Sequence, residues 1–211
     1  MVLFAIALLV PRPGWTHEQF FGIEEMVVRT YDPQHLIDGR IVAARQTADA
    51  ILRHGGVSLR WWHCDLPNAG RDFEGPCHAA IQANELVVRI VRASSSAGKS
   101  ALGFSLIDHD THRSWLATVF ADRVVATAQR LRLDANILMG RAIAHELGHL
   151  LVNSSAHATS GFMQAVWSDA MLTRNVTSDW HFGGSHSSVA RRNAVARALL
   201  AMPSAIGGGP Q

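Results

Sequence analysis

The sequence predicts an α/β (α+β) domain, a small twisted mixed sheet with helices packed on it. Three observations carry this. Stretches with strand-type alternation interleave with stretches of helical periodicity from residue 25 to residue 131. A later stretch, Ile137 to Leu151, is apolar on nearly every side, as befits a buried helix, and it contains HELGH at residues 145–149. The chain has 211 residues, 48% apolar and 17% charged, enough for one sizeable core and one domain.

The elements follow in order. Glu25 to Thr30, EMVVRT, reads as a short strand. Asp32-Pro33 has the chemistry of a helix start, with Asp as N-cap and Pro in the first turn. Leu36, Ile37, Ile41, Ala44, Ala48, Ile51 and Leu52 then form one apolar stripe, and Gly55-Gly56 ends it. Val57, Leu59 and Trp61 alternate with polar residues as in a strand, and residues 64–84 form a polar loop. Leu86 to Val91 is a β-branched run that suits a buried strand. Leu102 to Ile107 and Trp115 to Ala121 read as two strands joined by the polar turn DHDTHRS. Asp122 is placed to cap a helix through Leu131, and Asp134 to cap the helix carrying HELGH. Beyond residue 160 the expectation is irregular chain, a short helix near Ser168 to Thr173 and an amphipathic helix over Ser188 to Leu200.

The single domain is expected over residues 22–203, with residues 204–211, ending in Gly-Gly-Gly-Pro-Gln, as a flexible tail. Met1 to Val10 is an apolar run followed by Pro11-Arg12-Pro13-Gly14. It matches the hydrophobic part of a secretory signal but lacks a positive start and a small-x-small cleavage site, so a buried first strand is the alternative. We take residues 1–14 as a signal remnant, which implies a secreted or periplasmic protein. The net charge is +2, and no block of Lys and Arg marks a nucleic-acid footprint. No segment reaches the about 18 apolar residues of a membrane span. A monomer is expected.

Cys64 and Cys77 are too few for a disulfide scaffold but enough for one staple. Free thiols are an alternative. So is a metal site using the flanking His63 and His78, although that spacing departs from the usual C-x-x-C.

HELGH has the form of a zinc-hydrolase signature. Residues four apart share a helix face, so His145 and His149 can point at one ion. Glu146 lies about 100° round the helix, within reach of a water beside the ion without having to ligate it. A buried helix would not carry two His and a Glu without partners. Residues 147–211 contain no Glu, so a downstream Glu ligand is excluded. His157, His181, His186, Asp169 and Asp179 remain, and of these only His157 arrives just after the helix ends.

In these residues the chain resembles the metzincin clan of zinc metallopeptidases, whose pattern is HExxHxxGxxH followed by a tight turn with a Met beneath the metal. Here HELGH is followed by His157 and then Ser160-Gly161-Phe162-Met163. The match covers about residues 145–163. The clan's Gly is replaced by Val152, and the third His comes two positions late, Ser155 standing where it would be. The resemblance implies a zincin-like fold and one catalytic Zn2+ held by His145, His149 and His157. It implies Glu146 as general base and Met163 as the Met-turn residue, not a ligand. It further implies a sheet edge that holds peptide or protein substrate in extended form, for which Trp115, Leu116, Ala117, Thr118, Val119 and Phe120 are the expected strand. The function expected is therefore zinc-dependent hydrolysis of peptide bonds. A zinc-binding structural or interaction protein without peptidase activity is the alternative, and a zinc amidase acting on cell-wall peptide is a third.

Other signals are weaker. Ala93 to Ser100, ASSSAGKS, imitates a phosphate-binding loop but precedes a strand-like run where a helix is required. Trp61-Trp62 suits one buried and one exposed ring on a strand. Asp108, His109, Asp110 and His112 read as a solvated turn.

Overall fold

A computed structural model describes residues 25–37, 39–64, 77–94, 101–111 and 114–202. The signal-like stretch 1–14, the tail 204–211, the ends of the expected domain and most of ASSSAGKS lie outside these residues.

Five strands make one mixed sheet: β1 (Glu25–Tyr31), β2 (Ser58–His63), β3 (Glu85–Val91), β4 (Gly103–Leu106) and β5 (Leu116–Phe120), in the order β2-β1-β3-β5-β4. Four run parallel, and β4 runs antiparallel to β5 at one edge. The helices are α1 (Ile41–His54), α2 (Ala121–Leu131), α3 (Ala135–Val152), the short α4 (Asp169–Arg174) and α5 (Gly184–Ala201), with a 3-10 turn at Thr177–Trp180.

The topology corrects one expectation. The stretch Trp115 to Phe120 is not an edge: β5 is hydrogen-bonded to β3 on one side and to β4 on the other. Ala117, Thr118, Val119 and Phe120 are all buried, Leu116 is half-buried, and Trp115 precedes the strand. Apolar residues on both faces mark an interior strand. Among the described residues the sheet has two edges, β2 and β4, and of these β4, whose residues alternate half-buried and exposed, packs against α3.

The helix expected from Asp32-Pro33 begins only at Ile41. The Asp32 carboxylate does accept backbone hydrogens, from Leu36 and Ile37, both at 2.9 Å. These bonds close a turn, and positive φ at His35 (51°) and Gly39 (73°) stops it from continuing as a helix. Asp122 likewise sits in the first turn of α2 without capping it, and accepts instead from the Ala93 N–H at 2.9 Å. The last helix starts at Gly184, four residues before Ser188.

α3 is the centre of the molecule. Every residue from Leu138 to Leu151 is buried, as its all-round apolar sequence requires. It packs against α1, α2, α5 and strands β3, β4 and β5. Asp134 caps its N-terminus by accepting from the Asn136 N–H at 2.8 Å, and Asn153 ends it in the left-handed conformation, φ 52°. Arg197 of α5 donates to the carbonyls of Ala83, Glu85 and Ser114, which pins the last helix against the starts of β3 and β5.

Cys64 and Cys77 form a disulfide, with Cα atoms 5.5 Å apart, so neither a free-thiol pair nor a metal site occupies this position. Trp61 packs on the core while Trp62 stays exposed. Asp108 accepts from the backbone of Asp110 and Thr111 in an exposed turn. Among the described residues, no helix is long and apolar enough to cross a membrane.

Candidate metal centre

Two of the residues singled out in the sequence lie one turn apart on the buried face of α3. The third comes from the chain just beyond it. The His149 Nε2 is 3.1 Å from the His145 Nε2 and 3.3 Å from the His157 Nε2. The ligating atoms of all three lie within 4.8 Å of one another. His145 and His149 are buried, whereas His157 is exposed.

The other ring nitrogens settle the tautomers. His145 Nδ1 is 2.8 Å from the Phe162 carbonyl and His149 Nδ1 is 2.7 Å from the Ser154 carbonyl. A carbonyl only accepts, so both Nδ1 atoms carry hydrogen and both Nε2 atoms present lone pairs. Lone pairs that converge at such distances repel unless a cation lies between them. Three corners of a tetrahedron with ~2.0–2.1 Å zinc–nitrogen bonds are about 3.3 Å apart, close to the two spacings that His149 makes. Carbonyl partners behind the ligating rings are also usual at zinc sites. The three imidazoles therefore fit a zinc ion.

The electrostatics agree. Burial pushes the His145 imidazolium down to about 4, against the Phe162 carbonyl bond, with His149 and His157 adding to the fall. Burial also lowers His149, with His157 and His186 adding to it and the Ser154 carbonyl opposing. Both rings thus stay neutral at ordinary pH, as ligation needs.

The chain reaches His157 through a short loop. The Ser154 N–H donates to the His149 carbonyl at 3.2 Å, and Asn153 turns the backbone out of the helix. A tight turn then returns it: the Ala158 N–H donates to the Met163 carbonyl at 2.9 Å and the Gln164 N–H to the Gly161 carbonyl at 3.2 Å, with φ 77° at Gly161. The turn buries Phe162 and Met163, and the Phe162 ring stands edge-on to His145 with centroids 6.5 Å apart. Met163 lies so close to α3 that a Cβ on Gly148 would be 2.6 Å from its Sδ.

The other candidate ligands are elsewhere. His181 stacks on His54 with ring centroids 3.7 Å apart. Asp179 pairs with Arg174 at 2.7 Å and Asp169 with Arg130 at 2.6 Å. His186 sits in the first turn of α5, near enough to bias His149.

Glu146 is buried beside the cluster. Burial pushes its carboxyl up to about 7, and a hydrogen bond from Ser105 opposes this. The carboxyl lines a cleft of about 740 Å³ together with all three His residues. One wall of the cleft is β4, and the other runs from Gln164 through Trp167 to Leu172.

Three contributors went unnoticed in the sequence. Ser105 donates to Glu146 from β4, and Gly103 lies against the same side chain. Trp167 donates to the Phe162 carbonyl at 2.9 Å and sets its ring edge-on to His145, with centroids 5.4 Å apart. A glycine inside a strand marks a close approach of another group, and that signal was present in LGFSLI.

The chain shares its fold with an archaemetzincin from Methanopyrus kandleri, at a TM-score of 0.50 and 15% identity, covering 88% of this chain and 98% of that one. No protein-family model and no curated protein sequence matches the chain.

Proposed function

We propose that the protein is a zinc-dependent metallopeptidase, with His145, His149 and His157 holding one zinc ion. The observation that carries this is the convergence of three imidazole Nε2 atoms next to a buried carboxyl, at the wall of an open cleft. The fold shared with an archaemetzincin and the metzincin-like residues 145–163 support the same reading.

When bound, zinc supplies Lewis-acid polarisation of a carbonyl and makes a neighbouring water acidic enough to lose a proton near neutral pH. Glu146 takes that proton and later returns it to the leaving amine. In this reading Met163, buried in the turn and packed against Gly148 of α3, is the Met-turn residue and not a ligand. An extended peptide adds to the free edge of β4, antiparallel or parallel to Gly103–Leu106, in place of the strand first expected. The disulfide favours an oxidising compartment, in keeping with export.

The deciding experiment pairs a zinc assay with a chelator-sensitive peptidase screen on the parent and on Glu146→Gln. The variant should keep zinc, since Glu146 is not a ligand, and lose activity by about 10²–10⁴-fold or more. A zinc-loaded parent without activity on any peptide would instead favour a structural zinc protein. A Gln variant that cleaves at the parent rate would remove Glu146 from the reaction.

A further inference from the structure

The edge strand β4 touches the proposed base in two places. Ser105 Oγ is 2.7 Å from the Glu146 carboxyl Oε2 and 2.8 Å from the Glu146 carbonyl. Its single hydrogen goes to one acceptor at a time, so the hydroxyl bonds the carboxylate or the backbone carbonyl, and a protonated carboxyl can instead donate to the hydroxyl while the hydroxyl donates to the carbonyl. Two positions earlier on the same face of β4, Gly103 leaves the space that the carboxyl fills. A Cβ there would stand 2.9 Å from Cγ and Oε1 of Glu146 and 2.6 Å from the Thr118 carbonyl. Phe104 and Leu106, on the alternate face, are exposed.

This arrangement differs from what stability of the sheet would require. β4 is already paired to β5 through its backbone, and neither a glycine nor a serine strengthens a strand. Glu side chains have three rotatable bonds, so a place on the helix does not by itself fix where the carboxyl lies. The glycine gap and the hydroxyl together leave it one berth.

We propose that Gly103 and Ser105 are positioning residues for Glu146, forming a socket on the edge strand that holds the base beside the metal site. The inference rests on the reading of Glu146 as the base. It has a consequence for the reaction: the backbone that would pair with a peptide and the socket that aims the base are the same four residues. Peptide and base are then aligned by one strand, without relying on a mobile loop.

The test is a kinetic cycle on the zinc-loaded protein using Ser105→Ala, Ser105→Thr, Gly103→Ala, and Ser105→Ala combined with Glu146→Gln. Ser105→Ala should lower kcat by about 10–10²-fold, the scale of a small misplacement of a reacting group. KM should stay within about two-fold, because ground-state binding is untouched. Zinc content should be unchanged, and Ser105→Thr should recover most of the rate by restoring the hydroxyl. In the Glu146→Gln background, Ser105→Ala should lower the residual rate no further, which a merely structural role would not produce. Gly103→Ala keeps the hydroxyl but intrudes on both the carboxyl and the Thr118 carbonyl, so its kcat loss counts only where its unfolding midpoint matches the parent's. If Ser105→Ala fails to fold, Ser105→Cys, which keeps the shape and weakens the hydrogen bond, should reproduce the loss. Parent kcat in both single variants would overturn the proposal, as would an equal loss with and without Glu146. Should the parent cleave no peptide, the peptidase reading itself fails, and the socket is then judged by crystal structures of the zinc-loaded parent and Ser105→Ala proteins. A displaced Glu146 carboxyl would support it, and an unmoved one would overturn it.

Discussion

The His cluster joins two unlike regions. His145 and His149 sit on α3, a helix buried along fourteen consecutive residues and capped at both ends. His157 comes from a short loop, exposed, four residues past the helix cap at Asn153. The helix provides two nitrogens at a spacing that packing enforces whether or not metal is present. The loop provides the third, and its position depends on the turn of backbone at Asn153. A site built this way separates stability from function: the same loss of zinc can arise from residues whose importance to the fold is very different.

The largest effect expected comes from that contrast. His145→Ala and His157→Ala should each weaken zinc binding by about 10²-fold or more, if binding free energies of ~10 kcal/mol are shared among three ligands. In chelated protein the two should part company. His157→Ala should change unfolding free energy by no more than ~0.5 kcal/mol, as for other exposed substitutions. His145→Ala removes a buried ring and should cost on the order of 2 kcal/mol. Zinc competition assays and urea unfolding with chelator measure the two quantities. Equal destabilisation by both would mean that the loop is as rigid as the helix.

A second expectation concerns charge on the helix side of the site. In metal-stripped protein Glu146 is raised by burial to about 7, above its unfolded value. A group raised in this way contributes stability that is present below the unfolded pKa and lost as pH rises through the folded one. Glu146→Gln cannot ionise, so relative to the parent it should gain stability from about pH 5 upward, reaching up to ~3 kcal/mol above pH 7. Chemical unfolding of both proteins at pH 4.5 and pH 8 in chelator checks this. A difference that is flat between the two pH values would show that water reaches the carboxyl freely.

The two regions were also unequally legible in the sequence. α3 could be read almost completely, because periodicity, the Asp134 cap and the apolar run are local signals that burial reinforces. His157 could be selected by elimination and by its distance from the helix end, and the structure brings it to the other two. The sheet edge could not be placed by the same means. Strand order is a matter of non-local pairing, and β4 with β5 looks like any hairpin until the partner of β5 on its other side is known. One cue did exist: WLATVF is apolar on both faces, as an interior strand is, while GFSL alternates. Asp32 misled for a related reason. Its carboxylate makes the bonds of a helix cap, but His35 and Gly39 then take left-handed conformations that no capping preference forecasts.

The smallest effect expected lies at the junction of the two regions. Asn153 ends α3 with φ 52°, and its Oδ1 accepts from the Ser114 hydroxyl at 2.6 Å. It therefore does two things, taking a left-handed conformation and tying the helix end to the chain before β5. Asn153→Gly keeps the first and loses the second, whereas Asn153→Ala loses both. The left-handed conformation costs a residue with a Cβ roughly 1–2 kcal/mol, and the cost is smaller for Asn than for Ala because the Asn side chain can bond locally. Ala should therefore be the less stable variant by about 1 kcal/mol. Because His157 hangs from this junction, the order of the two variants in zinc affinity is informative in its own right. If the backbone turn sets where His157 arrives, Gly should retain parent-like zinc binding and Ala should not. If both bind zinc as the parent does, the metal draws the loop into place whatever the helix end does, and the third ligand is held by coordination alone.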